Sequence, residues 1–321
     1  MDFGIIAYLT SLAITAGIFA VFALGLNIQW GYTGLFNIGI AGFFAIGAYT
    51  SALITTPEPT GLYAQYVHQI FGLNLPFVFG LLGAAIVCGA VAALIGIPTL
   101  RLREDYLAIA TIGIAETIRL IFHNERWLAN GAQGLMGLPQ PLQNLVAPQH
   151  YNYLYLGIVL IVVLLIYLAI ERAIRSPWGR VLRAVREDEV STAMSGKDIF
   201  RFKMQSLVLG AMIMGIGGAL YAHFTKAISP DVFEPLYGTF IIWVMLMAGG
   251  SGNNKGAILG AYVVWGIWIG TQFLGDFLPL AIQPRAPYIR FLLIGLLLEI
   301  ILVYRPQGLL GEEKRVSKMI D

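Results

Sequence analysis

The chain has 321 residues, of which 58% are hydrophobic and only 12% are charged. Soluble domains carry roughly 25% charged residues, and the apolar residues here form runs close to the ~20 residues that a helix needs to cross a bilayer. The formal net charge of +2 and the grouping of Lys and Arg at a few loops exclude a basic face for nucleic acid. These features predict an all-α, polytopic membrane helix bundle.

Cysteine and histidine usage excludes two further kinds of site. Cys88 is the single cysteine of the sequence, so neither an intrachain disulfide nor a cysteine-rich metal site can form. The histidines show no pair at the helical spacing of metal ligands; they are His68, His123, His150 and His223. We therefore predict that the chain itself holds no metal and no cofactor.

Nine apolar segments follow one another and predict a single transmembrane domain over residues 1–321, with Gly-interrupted helices. The first has an acidic start and is too long for a signal-peptide core, so we expect a retained span. The seventh is short and ends at Gly249 and Gly250, which leaves eight to ten spans open. The segments are 3–27, 36–55, 75–96, 105–122, 153–171, 204–227, 236–248, 256–275 and 288–304.

The positions of the basic residues predict the orientation, because cytoplasmic loops retain Lys and Arg near the membrane. With nine spans, the turn after the third span, residues 171–203, the turn at Lys255 and the C-terminal tail all fall on one side. We therefore predict that the N-terminus lies outside and that the C-terminus and residues 171–203 lie in the cytoplasm.

The first Gly-rich interruption, GYTGLFNIGIAGFFAIGAYTSAL, covers residues 31–53. Unwound backbone at membrane depth is tolerated only against protein or a watery cavity. One interpretation is a broken helix that lines a pathway for a solute, and the other is close packing of helices through small residues. The broken-helix interpretation assigns five residues to the solute pathway: Gly31, Thr33, Gly34, Asn37 and Gly39.

Two charges lie inside the fourth segment, at Glu116 and Arg119. Each costs about 2.5–3.5 kcal/mol at the centre of a membrane helix, so exposure to lipid is disfavoured. The i, i+3 spacing places them on one helix face, where they partly neutralise each other. Either the pair lines the pathway or it ties two helices together, and the sequence favours the tie.

Residues 171–203 form the long basic loop, with a charge-rich stretch at 176–198. On a helix, Leu182, Val185, Val190 and Ala193 form a narrow apolar stripe. The pattern predicts an amphipathic helix that docks into a cleft of a soluble partner, against the alternative of a solvated connector. The flanking charges that would set its register are Arg183, Arg186, Glu187, Asp188 and Glu189.

A second Gly-rich interruption, GGSGNNKGAILGAYVVWG, covers residues 249–266. Paired Gly-interrupted segments in the two halves of a transporter point to its central site, so we add Gly249, Gly250 and Gly252 to the predicted pathway. The stretch lacks the Gly before Lys of a phosphate-binding loop. Its Gly-x-Ser-Gly resembles the rhomboid protease motif, but no histidine follows Ser251 to act as its base. We predict no enzymatic activity.

Five stretches together carry a family resemblance over nearly the whole length. The chain resembles the LivM-like permeases of branched-chain and neutral amino acid ABC importers. The stretches are LNIQWGYTGLFNIGIAGFFAIGAYTSALI, LRLREDYLAIATIGIAETIRLIFHN, SPWGRVLRAVREDEVSTAMSGKD, VLGAMIMGIGGALYAH and YRPQGLLG.

The resemblance implies a pore subunit in a bacterial inner membrane that works with other proteins. They are a second homologous permease, usually a different chain, two cytoplasmic ATPase subunits that use ATP and Mg²⁺, and an external solute-binding protein. It also implies that residues 176–198 engage the ATPase.

Other classes remain open. Ile40 stands where relatives often have histidine, and urea permeases share much of the pattern, so urea or another small amide is an alternative solute. A secondary transporter would need ionisable groups near the midplane to couple transport to ions, and Glu116 and Arg119 are the eligible ones. An intramembrane enzyme would need a metal or a nucleophile with its base, which the sequence does not offer.

Overall fold

The computed structural model describes residues 2–61, 64, 67–277 and 286–312, and this part is almost entirely helical. Its strands are two short antiparallel partners, β1 (Leu135–Met136) and β2 (Ala227–Ile228). Its α-helices are α1 (Asp2–Leu26), α2 (Ile40–Thr55), α3 (Phe77–Thr99), α4 (Glu104–Asn124), α5 (Arg126–Ala129), α6 (Tyr151–Arg175), α7 (Pro177–Glu187), α8 (Glu189–Met194), α9 (Ile199–Thr225), α10 (Ile241–Gly249), α11 (Asn254–Phe277) and α12 (Ala286–Tyr304).

The predicted helical membrane bundle is confirmed, since each of the nine apolar segments overlaps a helix. Within the described residues, five helical stretches are long and apolar enough to span a bilayer: 4–31, 77–99, 105–124, 148–175 and 199–225. Shorter apolar helices cover 40–55, 236–249 and 291–304. These shorter helices are α2, α10 with the turn that precedes it, and part of α12.

Helix α9 lies at the centre of the bundle and packs against α1, α2 and α3. Small residues permit its close approach to α2. A Cβ added at Gly47 would overlap the backbone of Gly215, and one added at Gly218 would lie 2.8 Å from the Ala48 nitrogen. Small-residue packing of this kind stabilises helix pairs in lipid, where no hydrophobic force draws helices together. The packing interpretation of the first Gly-rich segment therefore holds for its helical part.

The basic loops meet at one end of the bundle, which we call the basic end. The α3 residue Gly96 lies against Met204 near the start of α9, and Asn254 at the start of α11 donates to Glu171 near the end of α6 (3.0 Å). Helices α7 and α8 connect α6 to α9 at this end. The opposite end carries the β1–β2 pair and a hydrogen bond between the His223 ring and the Pro139 carbonyl. Which end faces the cytoplasm stays a prediction.

Candidate functional site

The chain unwinds between α1 and α2, as the sequence predicts. A π-helical turn, Asn27–Gly31, follows α1, and no regular helix resumes until Ile40. Gly34 has a φ of +75°, a conformation that favours glycine, and a Cβ there would lie 3.3 Å from Cγ of Arg186. The unwound segment, residues 27–39, therefore runs against both the bundle and α7.

Polar side chains of the unwound segment bond inside the protein. Thr33 and Asn37 are each 1% exposed. The Thr33 hydroxyl contacts the Ile28 carbonyl (2.9 Å) and the Ser206 hydroxyl (2.7 Å), and the Asn37 amide donates to Gln29 (2.8 Å). The bond to Ile28 satisfies a backbone carbonyl, and the other two pair buried side-chain groups with each other. Thr33 and Asn37 therefore hold the unwound segment against the rest of the bundle, and their polar groups are not presented on a surface.

A second interruption lies beside the first. Leu236–Phe240 forms a π-helical turn that runs directly into α10, so the seventh segment is one short helix whose regular hydrogen bonding is interrupted in its first turn. The Thr239 hydroxyl accepts from the Ala41 nitrogen (3.0 Å), and the Trp243 indole donates to the Asn37 carbonyl (3.1 Å). Side chains from α10 and its π turn thus satisfy the backbone where α2 begins.

An apolar groove of about 440 Å³ lies between the unwound segment, α4, and α10 with its π turn. Leu236 and Phe240 on its rim are exposed, and the rings of Phe36 and Trp243 meet edge to face at 5.1 Å. The side-chain polar groups in this lining are the Thr239 hydroxyl and the Trp243 indole N–H, and both are bonded to backbone. The lining residues are Phe36, Ile38, Ile112, Pro235, Leu236, Thr239, Phe240 and Trp243.

No residue of the predicted pathway lines this apolar groove. Sequence reasoning missed the groove because its wall comes from three separate elements, none of which carries an unusual motif. Phe36 and Ile38 alternate with the predicted Asn37 and Gly39, which point into the protein and are buried. The available signal was the alternation of residue types, apolar at 36 and 38 and polar or small at 37 and 39, which is typical of extended backbone with two different faces; Phe36 and Ile38 are half-buried.

Glu116 and Arg119 form a bidentate ion pair within α4, as their spacing predicts. The Arg119 guanidinium donates to both carboxylate oxygens of Glu116, at 2.5 and 2.9 Å. The hydrogen bonds of the pair join its two members within this one helix, so the expected tie between two helices stays a prediction. Arg119 also lies within the electrostatic reach of Glu234 and Asp231, which precede α10.

Helix α7 is amphipathic, but its apolar face is turned inward. Leu182 and Val185 are 0% and 1% exposed, because α7 packs against α6 and α9, where the Trp178 indole donates to Gln205 (2.8 Å). The expectation that these two residues offer an apolar stripe to a partner is therefore wrong. An apolar stripe in a sequence indicates that one face of a helix is covered. It does not say whether the same chain or a partner protein covers that face.

The surface that remains open belongs to α8 and the end of α7. Val190, Ala193 and Met194 are exposed, and so are Glu187 and Asp188. Asp188 caps α8, since its carboxylate accepts from the backbone nitrogens of Val190 (2.9 Å) and Ser191 (3.2 Å). The hydrogen bonds from Ser191 and Val190 lower the pKa of Asp188. An Asp at an N-cap position was the missed sequence signal for this role.

The remaining charges of the predicted docking stretch, Arg183, Arg186 and Glu189, contact the protein itself. Glu189 forms an ion pair with Lys203 of α9, and an Arg183 guanidinium nitrogen lies 3.5 Å from the Ile174 carbonyl. Arg186 donates to the Gly31 carbonyl and to Glu187 and Glu312 (2.8 Å each for the carboxylates). These bonds fix α7 and α8 to the basic end.

The second Gly-rich turn also lies at the basic end, away from the apolar groove. Gly249 ends α10, and Gly250 and Gly252 form the turn to α11 with positive φ. The Gly252 nitrogen donates to Asn27 of the unwound segment (2.8 Å). The structure thus brings Gly31 and Gly252 together with Arg186, whereas Glu116 and Arg119 lie elsewhere, on α4.

Comparison with known families and proteins gives a consistent result. The family described as "Branched-chain amino acid transport system / permease component" matches residues 8–302. No solved structure matches the chain.

Several curated proteins are similar over most of their length. The probable branched-chain amino acid transport permease LivM of Methanocaldococcus jannaschii is 30% identical, and the match covers 94% of this chain and 92% of the length of LivM. The high-affinity branched-chain amino acid permease LivM of Escherichia coli is 30% identical over 91% of this chain and 68% of its own. The nucleoside ABC transporter permease NupC of Lactococcus lactis is 25% identical over 77% of this chain and 76% of its own length.

Proposed function

Since the chain belongs to the permease family of branched-chain amino acid transport systems, we propose that it forms half of the pore of an ATP-driven importer for these amino acids. The other half is a second homologous permease. Two ATPase subunits bind at the basic end, which faces the cytoplasm of a bacterial inner membrane, and an external binding protein delivers the solute. ATP and Mg²⁺ act in the ATPase subunits.

The observation that carries this proposal is the apolar groove between two helix interruptions. Irregular backbone at membrane depth is tolerated against protein or along a cavity, and transporters place substrate sites at such discontinuous helices. The apolar lining suits an aliphatic side chain, since burial of apolar surface is the main favourable term for such a ligand. A polar urea molecule would find two polar side chains in the groove, Thr239 and Trp243, and the Trp243 indole N–H is already donated to the Asn37 carbonyl.

The groove also supports the need for a second permease. Leu236 and Phe240 are exposed at its rim, so in a membrane the groove of one chain would open toward lipid. An amino acid carries an ammonium and a carboxylate, and each charge costs several kcal/mol in hydrocarbon. A second protein must therefore cover the groove before such a solute can pass.

Thiol labelling tests the groove against a matched site. We replace the buried Cys88 with Ala and introduce Phe240→Cys or, as the control, Phe79→Cys on α3, because these phenylalanines are 53% and 52% exposed. The complex is reconstituted in proteoliposomes and treated with a bulky maleimide before ATP-driven leucine uptake is measured. We expect labelling to abolish most of the uptake in the Phe240→Cys variant and little in the control.

Two results would count against the groove as the pathway. One is full leucine uptake by the labelled Phe240→Cys variant with labelling verified by mass spectrometry. The other is equal inhibition of the two variants, which would indicate a general effect of the reagent.

A further inference from the structure

The chain after α12 folds back onto the basic end. The nitrogens of Leu309 and Leu310 donate to the carbonyls of Ala248 and Gly249, at 2.9 Å each. A Cβ on Gly250, whose φ is +116°, would overlap the Leu310 carbonyl, so this turn requires glycine. We call residues 305–312 the C-terminal clasp, because they hold the end of α10.

One arginine joins the clasp to two other elements. The Arg186 guanidinium of α7 donates to Glu312 of the clasp (2.8 Å) and to the Gly31 carbonyl of the unwound segment. The planar guanidinium presents several donors in a fixed arrangement, so one side chain can satisfy both acceptors at once. Arg186 and Glu312 are both partly buried, whereas Glu187, the other carboxylate on Arg186, is exposed.

The neighbouring turn reinforces the same junction. The Asn253 amide donates to the Gly311 carbonyl (3.0 Å), and a Cβ on Gly252 would lie 3.1 Å from the Glu312 carboxyl carbon and 3.3 Å from an Arg186 nitrogen. The clasp, the turn between α10 and α11, α7 and the unwound segment therefore meet around one ion pair.

We infer that Glu312 is a positioning residue for coupling, because it holds Arg186 on the Gly31 carbonyl. This inference rests on the proposed function. A displacement of α7 and α8 by an ATPase is passed through Arg186 to Gly31, and the unwound segment carries it to Phe36 and Ile38 in the groove wall. Without Glu312, Arg186 has the exposed Glu187 as its remaining carboxylate partner and turns away from Gly31.

The test compares Glu312→Gln with Glu125→Gln, which removes an exposed carboxylate that accepts from the Trp127 indole (2.7 Å) after α4, away from the basic end. Each complex is reconstituted with its ATPase and binding protein, and we measure complex abundance, ATP hydrolysis and leucine uptake per ATP. The inference predicts that Glu312→Gln keeps ATP hydrolysis but lowers uptake per ATP about tenfold, the size expected for loss of a hydrogen bond between charged groups. Glu125→Gln keeps wild-type coupling.

A double variant keeps the test decisive if Glu312→Gln alone assembles poorly. Arg186→Gln with Glu312→Gln removes both charges, so no buried charge is left unpaired, and it is also expected to hydrolyse ATP with little uptake. Wild-type uptake per ATP in the double variant, or in Glu312→Gln, would overturn the inference and leave the proposed function standing. If the wild-type complex itself shows no ATP-driven leucine uptake, the proposed function fails instead.

Discussion

Asn27 shows how a single amide can organise the junction between the unwound segment and the rest of the basic end. It is fully buried, accepts from the Gly252 nitrogen at 2.8 Å and donates to Asn254 at 3.0 Å. Asn254 in turn donates to Glu171 of α6 (3.0 Å). Three distant parts of the chain therefore depend on one side chain.

We expect Asn27→Ala to destabilise the protein by about 1–3 kcal/mol, because the Gly252 nitrogen and the Asn254 carbonyl oxygen lose their partner in a buried site. Asn124→Ala is the control, since Asn124 is exposed and its amide donates to the Leu120 carbonyl (2.9 Å). Thermal unfolding of the detergent-purified proteins measures the difference. Equal unfolding temperatures for the two variants would show that Asn27 is not needed to hold the junction.

At the scale of elements, α7 and α8 have separate roles. Helix α7 is anchored through its buried face, whereas α8 is held to α9 by the Glu189–Lys203 ion pair and leaves most of its residues exposed. Met194 at its end is 83% exposed. The contact with an ATPase that we propose therefore involves α8 and the exposed end of α7, and the buried Leu182 and Val185 hold α7 in place.

We expect Met194→Glu to reduce co-purification of the ATPase at least about tenfold, which corresponds to roughly 1.4 kcal/mol of contact energy. The abundance of the Met194→Glu variant in the membrane stays normal, because the Met194 side chain has no buried contact to lose. Met136→Glu is the control, since Met136 is 75% exposed in β1 at the opposite end. Normal recovery of the ATPase with Met194→Glu would remove α8 from the interface.

The same elements show what could be predicted from sequence. Apolar runs located the nine apolar helices, α1–α4, α6 and α9–α12, because membrane spans are dictated by length and hydropathy. The stripe of Leu182 and Val185 was visible, but a one-dimensional pattern does not say whether the chain or a partner covers it. The groove depends on Phe36, Ile112 and Phe240, which are distant in sequence and meet through tertiary packing alone.

The polar residues of the interruptions illustrate the same limit. Thr33 and Asn37 attract notice in an apolar segment, yet a polar group at membrane depth must find a partner. Here those partners belong to the protein, namely Ser206 and Gln29. Sequence could therefore identify the unwound segment, but not which of its faces is open.

At the scale of the whole molecule, the two interruptions and the clasp connect the basic end to the groove. Two of the predicted pathway glycines, Gly31 and Gly252, lie at this junction rather than at the groove. In the proposed function, this arrangement separates contact with an ATPase from contact with the solute and links the two through residues 27–39. Such a link is what a pore subunit requires when another protein hydrolyses the nucleotide.

ATP-dependent leucine uptake is the most direct test of the central claim that this chain is the pore subunit of an ATP-driven amino acid importer. The complex is purified through a tag on this chain, reconstituted in proteoliposomes and supplied with its binding protein. We predict leucine accumulation that requires ATP in the compartment facing α7 and α8 and persists when ion gradients are collapsed. Accumulation driven by a proton or sodium gradient without ATP, or uptake of urea in preference to leucine, would contradict the account.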